Sequence, residues 1–156
     1  MKQKLTENLI LNMNTNKEKN IIFVRLDKGE EIFESLYRVI NKYDIKSGII
    51  NGIGAINNVV IGSYNPKTKD YNKIKFEDNF ELTSLIGNVS LKNKKPFLHI
   101  HVNISDEKCQ AFGGHLFSAD ILATGELKIF ATETKVSRKY NEEIGLFLWD
   151  LGHCEK

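Results

Sequence analysis

Hydrophobic positions recur along this chain at two different spacings, and the change between them predicts where the helix and the strands lie. Residues 21–26, which read IIFVRL, form a β-rich apolar run that ends at Asp27. After Asp27 the apolar positions recur every three or four residues, which predicts an amphipathic helix with one face on a core. Asp27 and Glu30 predict the N-cap and the capping box of this helix. The apolar stripe of the helix consists of Ile32, Phe33, Leu36, Val39, Ile40 and Tyr43.

Strand patterns dominate the rest of the chain, where polar turns separate runs rich in β-branched and aromatic residues. The segment Gly52-Ile53-Gly54-Ala55 predicts a tight connection between two strands, because a phosphate-binding loop would need a further glycine or a Gly-Lys-Ser/Thr sequence. Seven to nine strands with one convincing helix predict an α+β domain that is mainly an antiparallel sheet. The predicted strand regions are 45–51, 59–64, 71–76, 80–90, 97–104, 110–116, 121–132 and 144–151.

The first 20 residues differ from the rest of the chain in being polar and rich in Asn and Lys. We expect residues 1–20 to form a flexible N-terminal arm with at most one short strand. The remaining pattern shows no repeat, linker or low-complexity tract, so residues 21–151 are expected to form one domain.

Targeting signals and cysteine usage predict the compartment. The apolar patch at 9–11 is shorter than the core of a signal peptide, and no run approaches the roughly 20 residues of a membrane-spanning helix. Cys109 and Cys154 form no CxxC motif, which predicts reduced thiols, with Cys109 on a buried strand. A cytoplasmic protein without a membrane anchor is therefore expected.

The charge balance argues against a protein devoted to nucleic acid. The 22 Lys and Arg residues exceed the 20 Asp and Glu residues by two, which gives a net charge of +2, whereas nucleic-acid-binding domains carry a marked basic excess. Lys92, Lys94 and Lys95 are candidates for contacts with DNA phosphates. Solvated loop lysines are the favoured interpretation of the same cluster.

The most informative chemical pattern is Phe97-Leu98-His99-Ile100-His101-Val102. Side chains alternate across a strand, so His99 and His101 share one face about 7 Å apart, while the apolar residues between them face a core. A turn around residues 105–108 would return the chain as an antiparallel strand and bring His115 towards His101. Three imidazoles are a ligand set that catalytic zinc sites use while one position stays open.

Spacing alone leaves two interpretations of these residues open. Three of the four histidines fall between positions 99 and 115, which favours a metal site, although two exposed histidines share a strand face by chance in many proteins. Glu81, a carboxylate inside an apolar strand, is a candidate general base or a partner for an imidazole. Outward-facing strand polarity explains Glu81 equally well.

Five segments, in their order and spacing, resemble the plants-and-prokaryotes conserved domain, which is abbreviated PPC. The resemblance covers about Ile21 to Thr132 and extends towards Leu151. The matching segments are Phe23–Glu30 (FVRLDKGE), Ser47–Ala55 (SGIINGIGA), Phe80–Asn88 (FELTSLIGN), Phe97–His101 (FLHIH) and Gly113–Leu116 (GGHL).

This resemblance implies a compact, mainly antiparallel domain with one principal helix that assembles as a homotrimer. In prokaryotic PPC members the histidines that match His99, His101 and His115 look like metal ligands. Zinc is the implied ion, with another divalent metal as the alternative. The fold is also similar to that of acetolactate decarboxylase, a zinc enzyme with a comparable three-histidine site.

The resemblance also implies a role in DNA binding or regulation. Plant members carry the domain after AT-hook motifs in nuclear DNA-binding proteins, and stand-alone prokaryotic members are commonly labelled as DNA-binding. This chain contains no Arg-Gly-Arg-Pro core of an AT-hook. The element that reads the minor groove in the plant proteins is therefore missing from this sequence.

Three hypotheses follow. The first is a trimeric PPC-like protein of the stand-alone prokaryotic type, DNA-binding by family, that carries a histidine-ligated metal. The second is a metal-dependent enzyme or binding protein for a small anionic carbonyl or carboxylate compound, in which the metal polarises a carbonyl oxygen, Arg25 binds a carboxylate and Glu81 moves protons. The third is an oligomeric interaction module without chemistry. The sequence leaves all three open.

Overall fold

The computed structural model of the chain describes residues 13–152, in which nine strands and one helix occur. This arrangement confirms the predicted α+β class. No helix in the described range is long and apolar enough to cross a membrane. The elements are β1 Asn14–Glu18, β2 Ile21–Asp27, α1 Ile32–Lys42, β3 Gly48–Asn65, β4 Asp70–Phe76, β5 Phe80–Lys92, β6 Lys95–Ser105, β7 Ala111–Ala131, β8 Ser137–Asn141 and β9 Leu146–Asp150.

The nine strands form one sheet, and four of them pair in a closed circuit. Strand β3 pairs with β5, β5 with β6, β6 with β7, and β7 with β3. The circuit closes because β3 and β7 are long, at 18 and 21 residues, so that different parts of each strand pair with different neighbours. Strand β2 pairs with β7, β1 with β2, and β4 with β3. Strand β8 joins β5 in parallel and pairs antiparallel with β9.

The core lies between the inner face of this sheet and α1, which packs against β6 and β7. The helix buries the side chains of Ile32, Leu36, Val39 and Ile40, as the predicted stripe requires, and Phe33 and Tyr43 pack partly buried beside them. Alternate residues of the strands complete the core with Ile, Leu and Val, because successive strand side chains point to opposite faces.

The helix begins later than the sequence predicts, so the assignment of Asp27 as its N-cap is wrong. The N-cap is Glu31, whose carboxylate accepts a hydrogen bond from the Glu34 backbone N–H at 2.8 Å. Backbone bonds from Gly29 N–H to the Ile121 carbonyl and from Ile121 N–H to the Glu30 carbonyl hold the preceding residues against β7. Glu30 still accepts from the Asp27 N–H at 2.7 Å, so half of the predicted capping box forms, but it forms in the turn before the helix.

The predicted connection at Gly52–Ala55 is also wrong, because β3 runs through it as one continuous strand with a register shift between Gly52 and Gly54. A Cβ atom at Gly54 would lie 2.4 Å from the Thr124 carbonyl oxygen of β7, and one at Gly52 would lie 2.9 Å from the Glu126 carbonyl oxygen. The glycines therefore allow β3 and β7 to approach closely, and they do not form a turn.

Two further expectations concern the ends of the chain and its cysteines. Residues 14–18 of the predicted arm form the short strand β1, and residues 1–12 lie outside the described range. Cys109 is exposed in the turn between β6 and β7, with a φ of 59°, so its assignment to a buried strand is wrong. Cys154 lies outside the described residues.

Candidate metal centre

The β6–β7 hairpin brings His99, His101 and His115 together. His101 and His115 are Cα partners across the antiparallel pair, as the predicted turn requires. Asp106 stabilises that turn, because its carboxylate accepts hydrogen bonds from the backbone N–H groups of Lys108 and Gln110 at 2.9 and 2.8 Å. The hairpin is therefore set by a local turn and by strand pairing, both of which depend on residues close in sequence.

The three imidazoles converge on one point on the outward face of the sheet. The Nε2 atoms of His99 and His101 are 3.2 Å apart, and one ring nitrogen from each histidine lies within 4.8 Å of the other two. The ring centroids are separated by 5.1 to 5.4 Å. His99 and His115 are half-buried, whereas His101 is exposed, so the cluster opens to solvent on one side.

The environment of the cluster favours neutral imidazoles. Burial lowers the pKa of His99 to about 4, and the positive charges of Arg138 and His101 act in the same direction. Burial also lowers the pKa of His115 to about 4, with further contributions from His99, His101 and Lys73. A neutral imidazole is the form that ligates a metal ion, so at neutral pH these two side chains need not release a proton to bind one.

Two observations test whether the residues fit a divalent metal. Nδ1 of His115 is buried and has no hydrogen-bond partner among the described residues, which is unusual for a buried polar atom in a protein. Three imidazole nitrogens at this spacing match the donor set of zinc sites that keep a fourth position open. The residues therefore fit the ion.

The side chain of Arg138 reaches His99 from the C-terminal hairpin formed by β8 and β9. Its Nη2 atom lies 3.0 Å from the Asn88 side-chain oxygen and 3.5 Å from Nδ1 of His99. Its Nε donates to the Ser90 hydroxyl at 2.7 Å and its Nη1 to the Phe147 carbonyl at 2.8 Å. Arg138 was not among the predicted site residues, because no motif surrounds it and only the parallel pairing of β8 with β5 places it here.

Aromatic side chains and a lysine border the other side of the cluster. The ring centroid of His115 lies 4.9 Å from that of Tyr71 and 4.8 Å from that of Phe117. Lys73 Nζ lies 4.0 Å from the centroid of Phe117. These residues belong to β4 and β7, so the cluster lies between the β3–β4 hairpin and the β8–β9 hairpin. The two hairpins touch at their tips, where the Tyr64 hydroxyl donates to the Ile144 carbonyl.

The structure places the other predicted site residues elsewhere on the sheet. Arg25 lies on β2, where it pairs with Asp27 at 3.1 Å and borders a groove on the outward face. Glu81 is exposed at the start of β5, opposite Ser105. Neither side chain forms a hydrogen bond or ion pair with the three histidines.

The predicted DNA-binding lysines lie at the β5–β6 turn. Lys94 occupies the turn with a φ of 63°, next to the exposed Lys95. Lys92 extends away from the turn, and its Nζ lies 4.0 Å from the ring centroid of Phe147. Only two of the three lysines therefore project freely at this turn.

Comparison with protein families gives a match over most of the chain. Residues 13–135 match the model of the Plants and Prokaryotes Conserved (PCC) domain. Among curated proteins no sequence matches.

Several solved structures share the fold. A protein from Bacteroides thetaiotaomicron described as a "putative DNA binding protein" is 34% identical, with a TM-score of 0.86, over 88% of this chain and 96% of that one. A plant- and prokaryote-conserved protein from Pyrococcus horikoshii is 33% identical, with a TM-score of 0.79, over 90% and 96%. A protein from Archaeoglobus fulgidus described as metal-containing is 34% identical, with a TM-score of 0.77, over 88% and 96%.

A more distant likeness bears on the fold alone. Acetolactate decarboxylase from Bacillus subtilis aligns with a TM-score of 0.52 at 15% identity, over 84% of this chain and 59% of that one. The expected similarity of fold to this enzyme is therefore confirmed.

Proposed function

Because the chain belongs to the Plants and Prokaryotes Conserved domain family, we propose that it is a metal-binding member in which His99, His101 and His115 hold one divalent ion. The observation that carries the proposal is the convergence of three ring nitrogens within 4.8 Å of one another. The metal-containing relative from Archaeoglobus fulgidus supports it independently. A donor set of three imidazole nitrogens favours zinc.

The geometry also indicates what such a centre offers chemically. A bound zinc ion supplies a Lewis acid that polarises an oxygen ligand. His101 is exposed beside two half-buried histidines, so the solvent side of the cluster is open to water or to a small molecule. Arg138 borders the imidazoles beside His99, and Tyr71 and Phe117 border them beside His115.

Metal analysis of the purified, untagged protein tests this proposal. We expect close to one zinc-like ion per chain, and we expect His101→Ala to lose it. Asn103→Ala is the matched control, since Asn103 is the next outward-facing residue of β6 and is not a ligand. Equal and low metal content in wild type and His101→Ala, after incubation with zinc and desalting, contradicts the proposal.

We further propose that the protein is a homotrimer that uses the outward face of the sheet. Phe23, Ile53 and Ile86 lie there with 41%, 56% and 62% of their surface exposed, and they line a groove of about 920 Å³. An exposed apolar surface of this kind typically marks a protein interface. Light scattering should report a trimer that Ile53→Glu dissociates, while Ile74→Glu on β4, at a similarly exposed site, leaves it intact. A monomeric wild type at micromolar concentration contradicts this assignment.

DNA binding is a second candidate function, favoured by the description of the Bacteroides relative. With a net charge of +2, binding should be lysine-driven, non-selective and steeply weakened by salt, with a dissociation constant of roughly 10⁻⁴ to 10⁻⁶ M at physiological salt. Changing Lys92, Lys94 and Lys95 together to Gln should weaken it a few-fold. The measurement is a titration with mixed and A·T-rich duplexes at two salt concentrations. Tight, sequence-selective binding at physiological salt would instead establish a specific DNA-binding function.

A further inference from the structure

The side chains around the three-histidine cluster carry positive charge that no carboxylate of residues 13–152 balances through an ion pair. Arg138 and Lys73 approach it from the two neighbouring hairpins and act on His99 and His115 respectively. Residues 13–152 contain four ion pairs, Arg25–Asp27, Arg38–Glu30, Lys46–Asp44 and Lys75–Glu77, and neither cation belongs to any of them. Metal-ligating histidines usually contact a carboxylate or a carbonyl oxygen instead. The cationic surroundings are therefore a distinctive property of this site.

Arg138 is held in place without being neutralised. Its hydrogen-bond acceptors at 3.0 Å or less, the Ser90 hydroxyl, the Asn88 amide oxygen and the Phe147 carbonyl, are all uncharged. The guanidinium also stacks on Phe97, with its carbon 5.0 Å from the ring centroid. A guanidinium has five N–H groups. Nη1 carries two of them and donates to Phe147 alone, so at least one N–H group has no acceptor among the described residues. The charge is fixed and one donor is still available.

Lys73 provides the second cation from the opposite side. It is the Cα partner of Gly62 on β3, and Gly62 is in turn the partner of His115 on β7. Its ammonium lies against the face of Phe117, two residues after His115. Together with Tyr71, whose ring plane stands at 83° to its own, Phe117 forms an aromatic wall next to the imidazole of His115.

We propose that this centre binds a small oxyanion, a carboxylate or a phosphate, which Arg138 and Lys73 attract from opposite sides of the three histidines. The proposal rests on the proposed metal function in one respect, since a bound divalent ion adds two positive charges and a coordination position that an anionic oxygen fills. Arg138 lies beyond residues 13–135, the part of the chain that matches the family model. The aromatic wall adds a preference for an anion with an apolar body.

Cobalt-substituted protein provides the test, because the visible absorption of Co²⁺ responds to a change in its ligands. Acetate, benzoate and inorganic phosphate are titrated separately, and each titration gives a dissociation constant. We expect at least one anion to change the spectrum saturably, with benzoate bound more tightly than acetate if the aromatic wall contributes. If phosphate binds more tightly than both carboxylates, the ligand is a phosphorylated compound. If a carboxylate binds more tightly than phosphate, the ligand is a carboxylate.

Substitutions assign the effect to particular residues. Arg138→Gln should weaken the preferred anion about ten- to a hundredfold, as expected for the loss of a charged interaction, and Arg138→Lys should restore part of the affinity. Lys73→Gln should weaken it several-fold from a different element, which guards against a folding defect in the C-terminal hairpin. Lys139→Gln is the matched control: it removes the same charge from the adjacent, exposed position of β8 and should leave the affinity unchanged.

The outcomes separate this inference from the metal proposal. If cobalt binds but no anion alters its spectrum, or if Arg138→Gln and Lys139→Gln behave alike, the anion site is wrong and the metal site stands. If cobalt does not bind, the metal site is wrong, and calorimetric titration of the metal-free protein with the same anions decides the anion site. In that titration, equal heats from wild type and Arg138→Gln overturn the anion site. A loss of binding in Arg138→Gln that Lys139→Gln does not share supports the site.

Discussion

The two faces of strand β6 carry different residues and serve different purposes. Leu98, Ile100 and Val102 point inward, where each is at most 4% exposed. His99 and His101 alternate with them and point outward into the imidazole cluster. The buried core and the proposed metal site are therefore separated within one strand by its two-residue period. A change on the outward face should affect metal binding, and a change on the inward face should affect the stability of the metal-free protein. Three experiments test this separation.

The largest expected effect is stabilisation by metal through the outward face. Zinc at about a thousand times its dissociation constant should raise the free energy of unfolding of the wild type by about 4 kcal/mol, because it binds the folded state alone. His101→Ala should show none of this gain. Thermal unfolding with zinc and with chelator measures the difference. An equal response in the variant would show that the ion binds elsewhere.

A somewhat smaller effect is expected on the inward face. Ile100→Ala should lower the free energy of unfolding of the metal-free protein by about 3 kcal/mol, since it leaves a cavity at a fully buried position. His101→Ala, measured in the same way by urea titration in chelator, should change it by no more than about 0.5 kcal/mol. A comparable loss in both variants would mean that the two faces are not separable.

The smallest expected effect is a loss of stability in acid, because the folded protein resists protonation of two histidines on the outward face. The pKa of His99 and of His115 is about 4 in the folded protein, below the ordinary value of 6.5. Below pH 6.5 the unfolded chain takes up protons that the folded chain does not, so stability falls as the pH is lowered from 7 to 4. Solvent screening limits the loss to about 2 kcal/mol for these half-buried groups.

Urea titrations of the metal-free protein across this pH range measure that loss. Replacing both histidines by Gln should flatten the corresponding part of the pH profile, while carboxylates elsewhere continue to titrate. A double variant with the same slope as the wild type between pH 7 and 4 would contradict the pKa shifts.

Sequence rules succeed here where the structure depends on residues close together in the chain. Alternation along β6 and the turn at Asp106 are local, and they were sufficient to predict that His101 and His115 would meet. The stripe of α1 is equally local, and its buried face was predicted correctly.

The same rules fail where distant backbone contacts decide the outcome. Glu31 replaces Asp27 as the N-cap because Gly29 and Glu30 bond to Ile121, which is distant in sequence. The strand β8 was not predicted at all, since its five residues show little apolar alternation. Arg138 was consequently missed, although it contacts a residue of the predicted site.

The sequence separation between the site residues has a consequence for folding. The three histidines span only positions 99 to 115, on two strands joined by a short turn. Contacts of such low contact order form early, whereas β8 must pair in parallel with β5 across a long intervening segment. We therefore expect the ligand set to assemble in the β6–β7 hairpin before Arg138 arrives. A nascent chain would then be able to capture its ion first, and Arg138 would add its proposed contact with an anion only when the C-terminal hairpin docks.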